Sequence, residues 1–460
     1  MTCCLSVVVA GLDTTIANVA LPSIQKSLNA SVSGLQWVVD AYTLVLACLL
    51  MFSGSVADRF GRRRVFQVGL GVFSLGSLLC GFAPSLGALV AFRAMQAVGG
   101  AMLNPVAMSI IATTFTDPKQ RARAVGTWGA VAGLGGACGP VIGGLLVSSL
   151  GWRSIFWVNV PIGVLAICLT RRFVPESKAA RGKRFDPLGQ LLVVTILGPV
   201  TAAVIEGPRF GWGSPLIVAL FVLAAVSVVG LVAAESRRTD PLMDVRVFRS
   251  PTFSGAAVIG VVALMTLGGF LFVNTLYLQN VRGYSALHAG LLTLPMAAAL
   301  AACAKISGRV VAARGARPAF VLAGLLLAAG TGLLADAGTR TPTWYLVLAY
   351  LLFGAGFGLV GTPMTNTALS GMPRDQAGVA GAIASTCRQT GAAIGVAVCG
   401  AIVGRGSVGF LASSRIAWIV LAGCGIATVL LGLVSTGRWA RAQTEHSDHQ
   451  LNTLAVATPR

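Results

Sequence analysis

Three observations predict an all-α integral membrane fold. Hydrophobic residues make up 55% of the 460-residue chain and charged residues only 10%, against roughly 25% charged in an average soluble protein. Mean hydropathy is +0.82. A soluble monomer of this composition cannot cover its surface, whereas lipid lets apolar side chains face outward. Second, apolar stretches of about 20 residues, the length that spans a bilayer, recur fourteen times between charged or Pro/Gly-rich loops. Third, with the N-terminus inside, 25 of the 34 Lys and Arg fall on the inner side and seven on the outer, the split that sets orientation in membrane proteins. The net charge of +20 therefore reads as topology. A polyanion partner, a nucleic acid included, is not expected.

The spans follow in order from this alternation. The first two begin near Cys4 and Leu35, with Lys26 between them on the outer side. Arg59, Arg62, Arg63 and Arg64 then mark an inner loop before the span near Val65. The fourth begins near Leu86. Lys119, Arg121 and Arg123 precede the fifth, near Ala122, and Arg153 marks the outer turn into the sixth, near Ser154. A basic inner segment from Arg171 to Arg184 leads to the seventh, near Pro187; the segment Gly207 to Ser214, bearing Arg209 at the outer side, leads to the eighth, near Pro215. Arg237, Arg238, Arg246 and Arg249 precede the ninth, near Thr252. Arg282 lies outside before the tenth, near Ala286, and Lys305 to Arg317 inside before the eleventh, near Ala319. Arg340, Arg374, and then Arg405 with Arg415 separate the spans near Trp344, Ala377 and Ile416. Arg93 and Arg388 remain inside spans.

Two basic segments repeat a spacing. Gly54 to Arg64 and Gly308 to Arg317 each read Gly, six residues, Gly, then a basic residue within two positions. Their matching places imply two related halves with two spans inserted between them, the arrangement a secondary transporter uses to rock about a central site. The expected division is 1–175 for an N-terminal six-helix half, 176–250 for a linker with two further spans, 251–436 for a C-terminal half and 437–460 for a disordered cytoplasmic tail.

Little else in the composition points to chemistry. The ten cysteines lie mostly in apolar runs and read as small core residues. Three histidines, two of them in the tail, make no metal site. The apolar start lacks a basic n-region and a cleavage site, so no cleaved signal peptide is expected. Gly182-Lys183-Arg184 lacks the spacing and the Ser/Thr of a phosphate loop, so neither ATP nor another cofactor is expected.

The segments that carry mechanism are few. Gly54, Asp58, Arg59, Gly61, Arg62 and Arg63 set one acid among arginines between two glycines. In the fifth span, Gly135, Gly139, Pro140, Gly143 and Gly144 supply small residues for close helix approach and a proline bend. Asp13 lies mid-span, where an ionised carboxylate costs several kcal/mol, and such a group can take a proton from one compartment and release it when its surroundings change. Asp40 lies about two turns into the second span, as a cavity residue or a helix cap. Arg93 needs a buried counter-charge, and Asp13 is the expected one. For Arg388, beside Gln389 at the expected cavity, three readings stand: an ion pair with Asp40, an anion site, or a brace near the inner end. Trp128, Phe270, Phe272, Tyr277 and Phe357 are packing residues first and pocket candidates second.

Gly54-x-x-x-Asp58-Arg59-x-Gly61-Arg62-Arg63-Arg64 resembles the signature loop of the major facilitator superfamily, and Gly135-x-x-x-Gly139-Pro140-x-x-Gly143-Gly144 resembles the antiporter motif of its exporters. The segments around Asp13 and Asp40, with Val174 to Lys178, Asp240 to Phe248 and Arg388-Gln389-Thr-Gly391, are similar to the fourteen-helix drug:proton antiporter branch, which includes quaternary-ammonium and methylenomycin exporters. That resemblance runs from residue 5 to about 435. It implies the major facilitator fold and proton-coupled efflux of lipophilic small molecules or antibiotics across the plasma membrane, by a monomer driven by the proton gradient. Asp13, Asp40 and Arg93 would couple protons, with Asp40 as either a coupling or a cation-binding acid, and Asp58 with its arginines would brace the cytoplasmic gate. Ala312 replaces that acid in the second copy, so the role is carried to the first half only. Ala384 and Ser385 stand where exporters of dications carry carboxylates, which points to neutral, monocationic or acidic substrates. The rival readings are a facilitator for a specific metabolite, in either direction, and a membrane-embedded receptor or enzyme, for which neither a sensory domain nor a catalytic constellation is seen.

Overall fold

The protein is seen in a computed structural model that describes residues 2–115, 117–178, 186–238, 247–248, 250–370, 377–404 and 409–437, with 440 and 443. The expected tail otherwise lies outside the described residues, as do Arg181, Lys183, Arg184, Arg246, Arg249, Arg374 and Arg405. Among the described residues, fourteen helical segments are long and apolar enough to cross a membrane. The chain is an all-helical, multi-pass membrane protein.

The first four helices are α1 (Thr2–Leu28), α2 (Val32–Phe60), α3 (Arg62–Gly81) and α4 (Leu86–Thr114). Next come α5 (Pro118–Leu150), then α6 (Ser154–Trp157) and α7 (Asn159–Phe173), which together make the sixth span. Two further helices follow, α8 (Pro187–Phe210) and α9 (Pro215–Glu235). Then α10 (Pro251–Leu276) ends in a π-turn, Tyr277–Val281, and α11 (Ala286–Leu292) and α12 (Leu294–Arg314) form the tenth span. The last four are α13 (Ala316–Ala335), α14 (Thr343–Ser370), α15 (Ala377–Val403) and α16 (Phe410–Ser435).

Local chemistry explains where these helices start and stop. Ser31, Ser85, Asp117, Asp186 and Ser285 each accept a backbone N–H of the first turn of the helix that follows, filling a donor that would otherwise be orphaned. Pro118 and Pro187 take the first helical position, where no N–H is needed. α1 closes on Asn29 in the left-handed region, with Ala30 N donating to the Gln25 carbonyl at 3.0 Å.

The two expected Gly/Arg loops are shorter than their spacing implied. Residues 54–60 continue α2 and residues 308–314 continue α12, so the connections reduce to Gly61 (φ 106°) and Gly315 (φ 79°). Nothing in those seven-residue runs breaks a helix, and only the second glycine of each copy takes a conformation that other residues resist. Likewise α8 runs through Phe210, although the segment from Gly207 reads as a loop: Gly211 N donates to the Gly207 carbonyl at 2.9 Å and the turn is confined to 211–214.

The chain forms two compact units: Met1–Ser227 with Leu271–Leu294 and Val396–Ser407, and Val228–Phe270 with Pro295–Gly395 and Val408–Arg460. In the first, α1 packs on α5, α3 on α4 and α2 on α4, around Tyr42, Leu46, Phe66, Phe73 and Leu103. In the second, α13 packs on α14 and α16. There Phe270 stacks on Phe353 at 4.1 Å and meets Tyr350 and Trp418 edge-on, so it is core packing. Val218, Val222, Val226 and Val229 are exposed along one face of α9, as lipid-facing side chains are. Of the ten cysteines, four are buried and Cys138 and Cys168 are exposed.

α8 is pinned along α2. Gln190 Nε2 donates to the Cys48 carbonyl at 2.8 Å, and the Trp37 indole donates to Glu206 Oε1 at 2.9 Å. A hydrogen bond to a charged acceptor contributes about 1.5–3 kcal/mol. Glu206→Ala should lower the thermal unfolding temperature in lipid nanodiscs by an amount of that order, Trp37→Phe should do the same, and Glu206→Gln, which keeps an acceptor, should lose less.

Candidate functional site

The most densely bonded polar cluster lies inside the N-terminal helices. Asp13 on α1 and Arg93 on α4 are 0% and 1% exposed, so neither charge is shared with solvent. Arg93 NH1 donates to Asp13 Oδ2 at 2.6 Å and to Gln96 Oε1 at 2.7 Å. Gln96 Nε2 in turn donates to Asp13 Oδ1 at 2.8 Å, and Asn159 Nδ2 donates to the same oxygen at 3.1 Å. Ser77 on α3 accepts from both amides, each at 3.0 Å, and donates to the Phe156 carbonyl at 2.9 Å. The guanidinium is completed by Nε donating to the Val38 carbonyl at 3.1 Å and by the Tyr42 ring, whose centre lies 4.4 Å away. Both Asp13 oxygens thus face donors, which suits a carboxylate and leaves an acid proton no acceptor.

The local sequence sets this up. Arg93 and Gln96 are three apart on α4 and share a face. Gly76 lies so close to α4 that a Cβ there would fall 2.7 Å from the Gln96 Cα, so only glycine lets α3 bring Ser77 to the cluster. Asn159 opens α7 where the sixth span breaks after Trp157. Ser77 and Asn159 escape a reading of the sequence, since single small polar residues are common in apolar runs and carry no charge to mark them.

Asp40 is also 0% exposed but differently furnished. Thr43 Oγ1 donates to its Oδ1 at 3.3 Å, and Oδ2 has no hydrogen-bond partner among the described residues. No described cation is paired with it. Asp40 lies well inside α2, which excludes the helix-cap reading; Ser31 holds that role. Arg388 is half-buried on α15, where it donates to Ser385 Oγ at 3.0 Å and lies against Gly260, with no described acid beside it. Gln389, half-buried, follows it. Among the described residues of α10 to α16 the one carboxylate is Asp336, at the C-terminal end of α13 and paired with Arg415 at 3.1 Å.

The Asp58 segment forms two ionic contacts. Arg62 donates to Asp58 Oδ1 from NH2 at 2.8 Å and from Nε at 3.2 Å. Glu176, beyond α7, accepts the backbone N–H groups of Arg63 at 3.0 Å and Arg64 at 3.3 Å, capping α3 with a negative charge at its positive end. A Cβ on Gly61 would strike that carboxylate. Arg59 has partners of its own. Glu176 is visible in the sequence only as part of a family resemblance.

The glycines of α5 serve close approach on two sides. Gly139 and Gly143 face Thr15 and Ile16 of α1 with no room for a Cβ and Gly135 faces Val8 with little, while Gly144 faces the backbone of Ala286 and Leu287, and Gly290 of α11 faces the Pro140 carbonyl. Among the described residues no group of His, Cys, Asp and Glu is placed to hold a metal.

Residues 3–396 match the family model of the Major Facilitator Superfamily. The multidrug resistance protein Stp of Mycobacterium tuberculosis is 41% identical over 394 residues, covering 85% of this chain and 73% of Stp. The methylenomycin A resistance protein of Streptomyces coelicolor is 35% identical over 397 residues, covering 86% and 83%. Among solved structures, the human organic anion transporter MFSD10 matches with a TM-score of 0.64 over 94% of this chain and 98% of its own, at 17% identity, a likeness of fold.

Removing one partner of a buried ion pair costs about 3–5 kcal/mol, because the other charge is left uncompensated. Asp13→Asn should therefore destabilise the protein by that order in a thermal unfolding assay. Asp13→Asn combined with Arg93→Gln should recover most of the loss, since the two positions are coupled.

Proposed function

We propose that the chain, which belongs to the Major Facilitator Superfamily, expels lipophilic small molecules or antibiotics across the plasma membrane in exchange for protons. It is a transporter and not an enzyme. The observation that carries the coupling is the Asp13 cluster. A carboxylate there is held by Arg93, Gln96 and Asn159, from α4 and α7, while it sits on α1. Protonating Asp13 removes its attraction to Arg93 and leaves the new O–H facing donors, so proton uptake favours an arrangement in which these helices separate. Loss of the proton favours their return. Asp13 is then the coupling acid and Arg93 its counter-charge, moving within a protein whose two ends open in turn.

Asp40 complements this. As an ion it has no counter-charge among the described residues, and either a proton or a monocationic substrate supplies one. The relatives' names support a drug as cargo: Stp is named for multidrug resistance and the Streptomyces coelicolor protein for methylenomycin A resistance. The glycine-rich face of α5 supports export over uptake, through its likeness to the exporters' motif. The surplus of Lys and Arg on one side supports cytoplasmic N- and C-termini. The Asp58–Arg62 pair and the Glu176 cap are the proposed brace of the cytoplasmic gate.

The energy suffices. One proton moving through about 100 mV and one pH unit releases roughly 3.7 kcal/mol, enough to hold a gradient of two to three orders of magnitude in a neutral solute.

Expression in an efflux-deficient bacterial host should raise resistance to a subset of a lipophilic toxicant panel, and a protonophore should cancel it. Asp13→Asn should abolish the resistance at equal expression. If Asp13→Asn protects as well as wild type, the coupling role is refuted. For Asp40→Asn, loss that depends on the compound indicates cation binding, and uniform loss indicates coupling.

A further inference from the structure

At the end of the N-terminal unit opposite Asp58, two stretches of the later sequence, 271–294 and 396–404, pack on α1, α2 and α5. Two side chains tie them down. Gln36 of α2, 1% exposed, donates from Nε2 to the Ala397 carbonyl at 2.7 Å and the Val396 carbonyl at 3.3 Å, and Gly400 leaves the space its amide fills. Gln279, in the π-turn after α10, donates from Nε2 to the Val19 carbonyl of α1 at 2.8 Å. One turn away, Thr15, Asn18, Asn274, Thr275 and Thr293 line a small cavity, into which Asn18 brings a buried Oδ1 without a hydrogen-bond partner among the described residues.

We infer that Gln36 and Gln279 form the latch of the gate at this end: two neutral carboxamides that hold the later helices against α1 and α2 by bonding to backbone carbonyls. The inference rests on the alternating-access reading above. Both donors are uncharged, so neither of the two hydrogen bonds titrates. Both acceptors are main-chain oxygens, so the latch tolerates changes in side chains across the seam and releases by a small helix movement. Asp40 lies four residues beyond Gln36 on the same face of α2, so a displacement of α2 at the acid shifts the amide. A substrate leaving at this end passes the polar cavity only after both amides let go.

The test uses full-length protein in lipid nanodiscs, where both faces are reachable. Thr275→Cys places a thiol in the cavity, and its reaction with a bulky polar maleimide is followed by mass spectrometry of the peptide containing residue 275. Thr293→Cys serves as a second position should the first not fold, and gel filtration reports folding. Gln36→Ala and Gln279→Ala should each raise the labelling rate at least five-fold, and the double variant further. Because the thiolate is what reacts, rates are compared between variants at one pH: Gln279→Glu should label as fast as Gln279→Ala at pH 8 and more slowly than Gln279→Ala at about pH 4.5, where a protonated carboxyl can donate to the Val19 carbonyl. Equal rates in wild type and the double variant, or a ratio of the Gln279→Glu rate to the Gln279→Ala rate that is the same at both pH values, would overturn the latch. No proton gradient is applied, so a failure of Asp13 coupling leaves this readout untouched and shows separately in resistance.

Discussion

A carboxylate and a guanidinium held 2.6 Å apart without solvent constrain the whole N-terminal half. Taking both ions out of water costs several kcal/mol each, and their attraction offsets it only when the remaining hydrogen-bonding positions are filled. Here α1 supplies the acid, α4 the base and the bridging Gln96, α3 the Ser77 relay, α7 Asn159, and α2 a carbonyl and an aromatic face. Five helices must therefore hold their register together. The absence of a side chain at Gly76 follows from that demand, since any Cβ would push α4 and its two partners away from Asp13.

α2 links this centre to both ends of the molecule. Gln36, Asp40 and Asp58 lie along its 29 residues, with Gln36 and Asp58 about 33 Å apart at helical rise. The two ends are held by different physics. Around Asp58 the contacts are ionic and partly exposed, so they weaken with salt. Around Gln36 they are neutral and buried, so they do not. α8 lies along the same α2, joined through Trp37 and Cys48.

How much of this was legible in the sequence varied with the kind of signal. The fourteen spans were readable because hydropathy over 20 residues is composition, which packing does not alter. Asp13, Asp40 and Arg93 stood out because a charge in an apolar run has no ordinary explanation, and Asp13 as the counter-charge of Arg93 followed from the cost of leaving a buried charge alone. Ser77 and Asn159 were illegible, since only the fold brings α3 and α7 to α1. Glu206 was masked by reading residues 207–214 as a loop, which set it at a helix margin instead of inside α8. The turns at Gly61 and Gly315 were readable as a repeat, but their shortness was not, because nothing between the paired glycines forbids helix. Phe270 shows that aromatic content alone does not separate a pocket from a core.

The central claim is that Asp13 carries the proton that is exchanged for substrate. The direct measurement is the lumenal pH of proteoliposomes holding the purified protein, after a gradient of a compound to which it confers resistance is imposed in the absence of any initial pH difference. The account predicts that wild-type protein moves protons against the flow of the compound and that Asp13→Asn, still folded, moves none. Proton movement of equal size in the Asp13→Asn protein, or discharge of the compound by wild type with no change in pH, would contradict it.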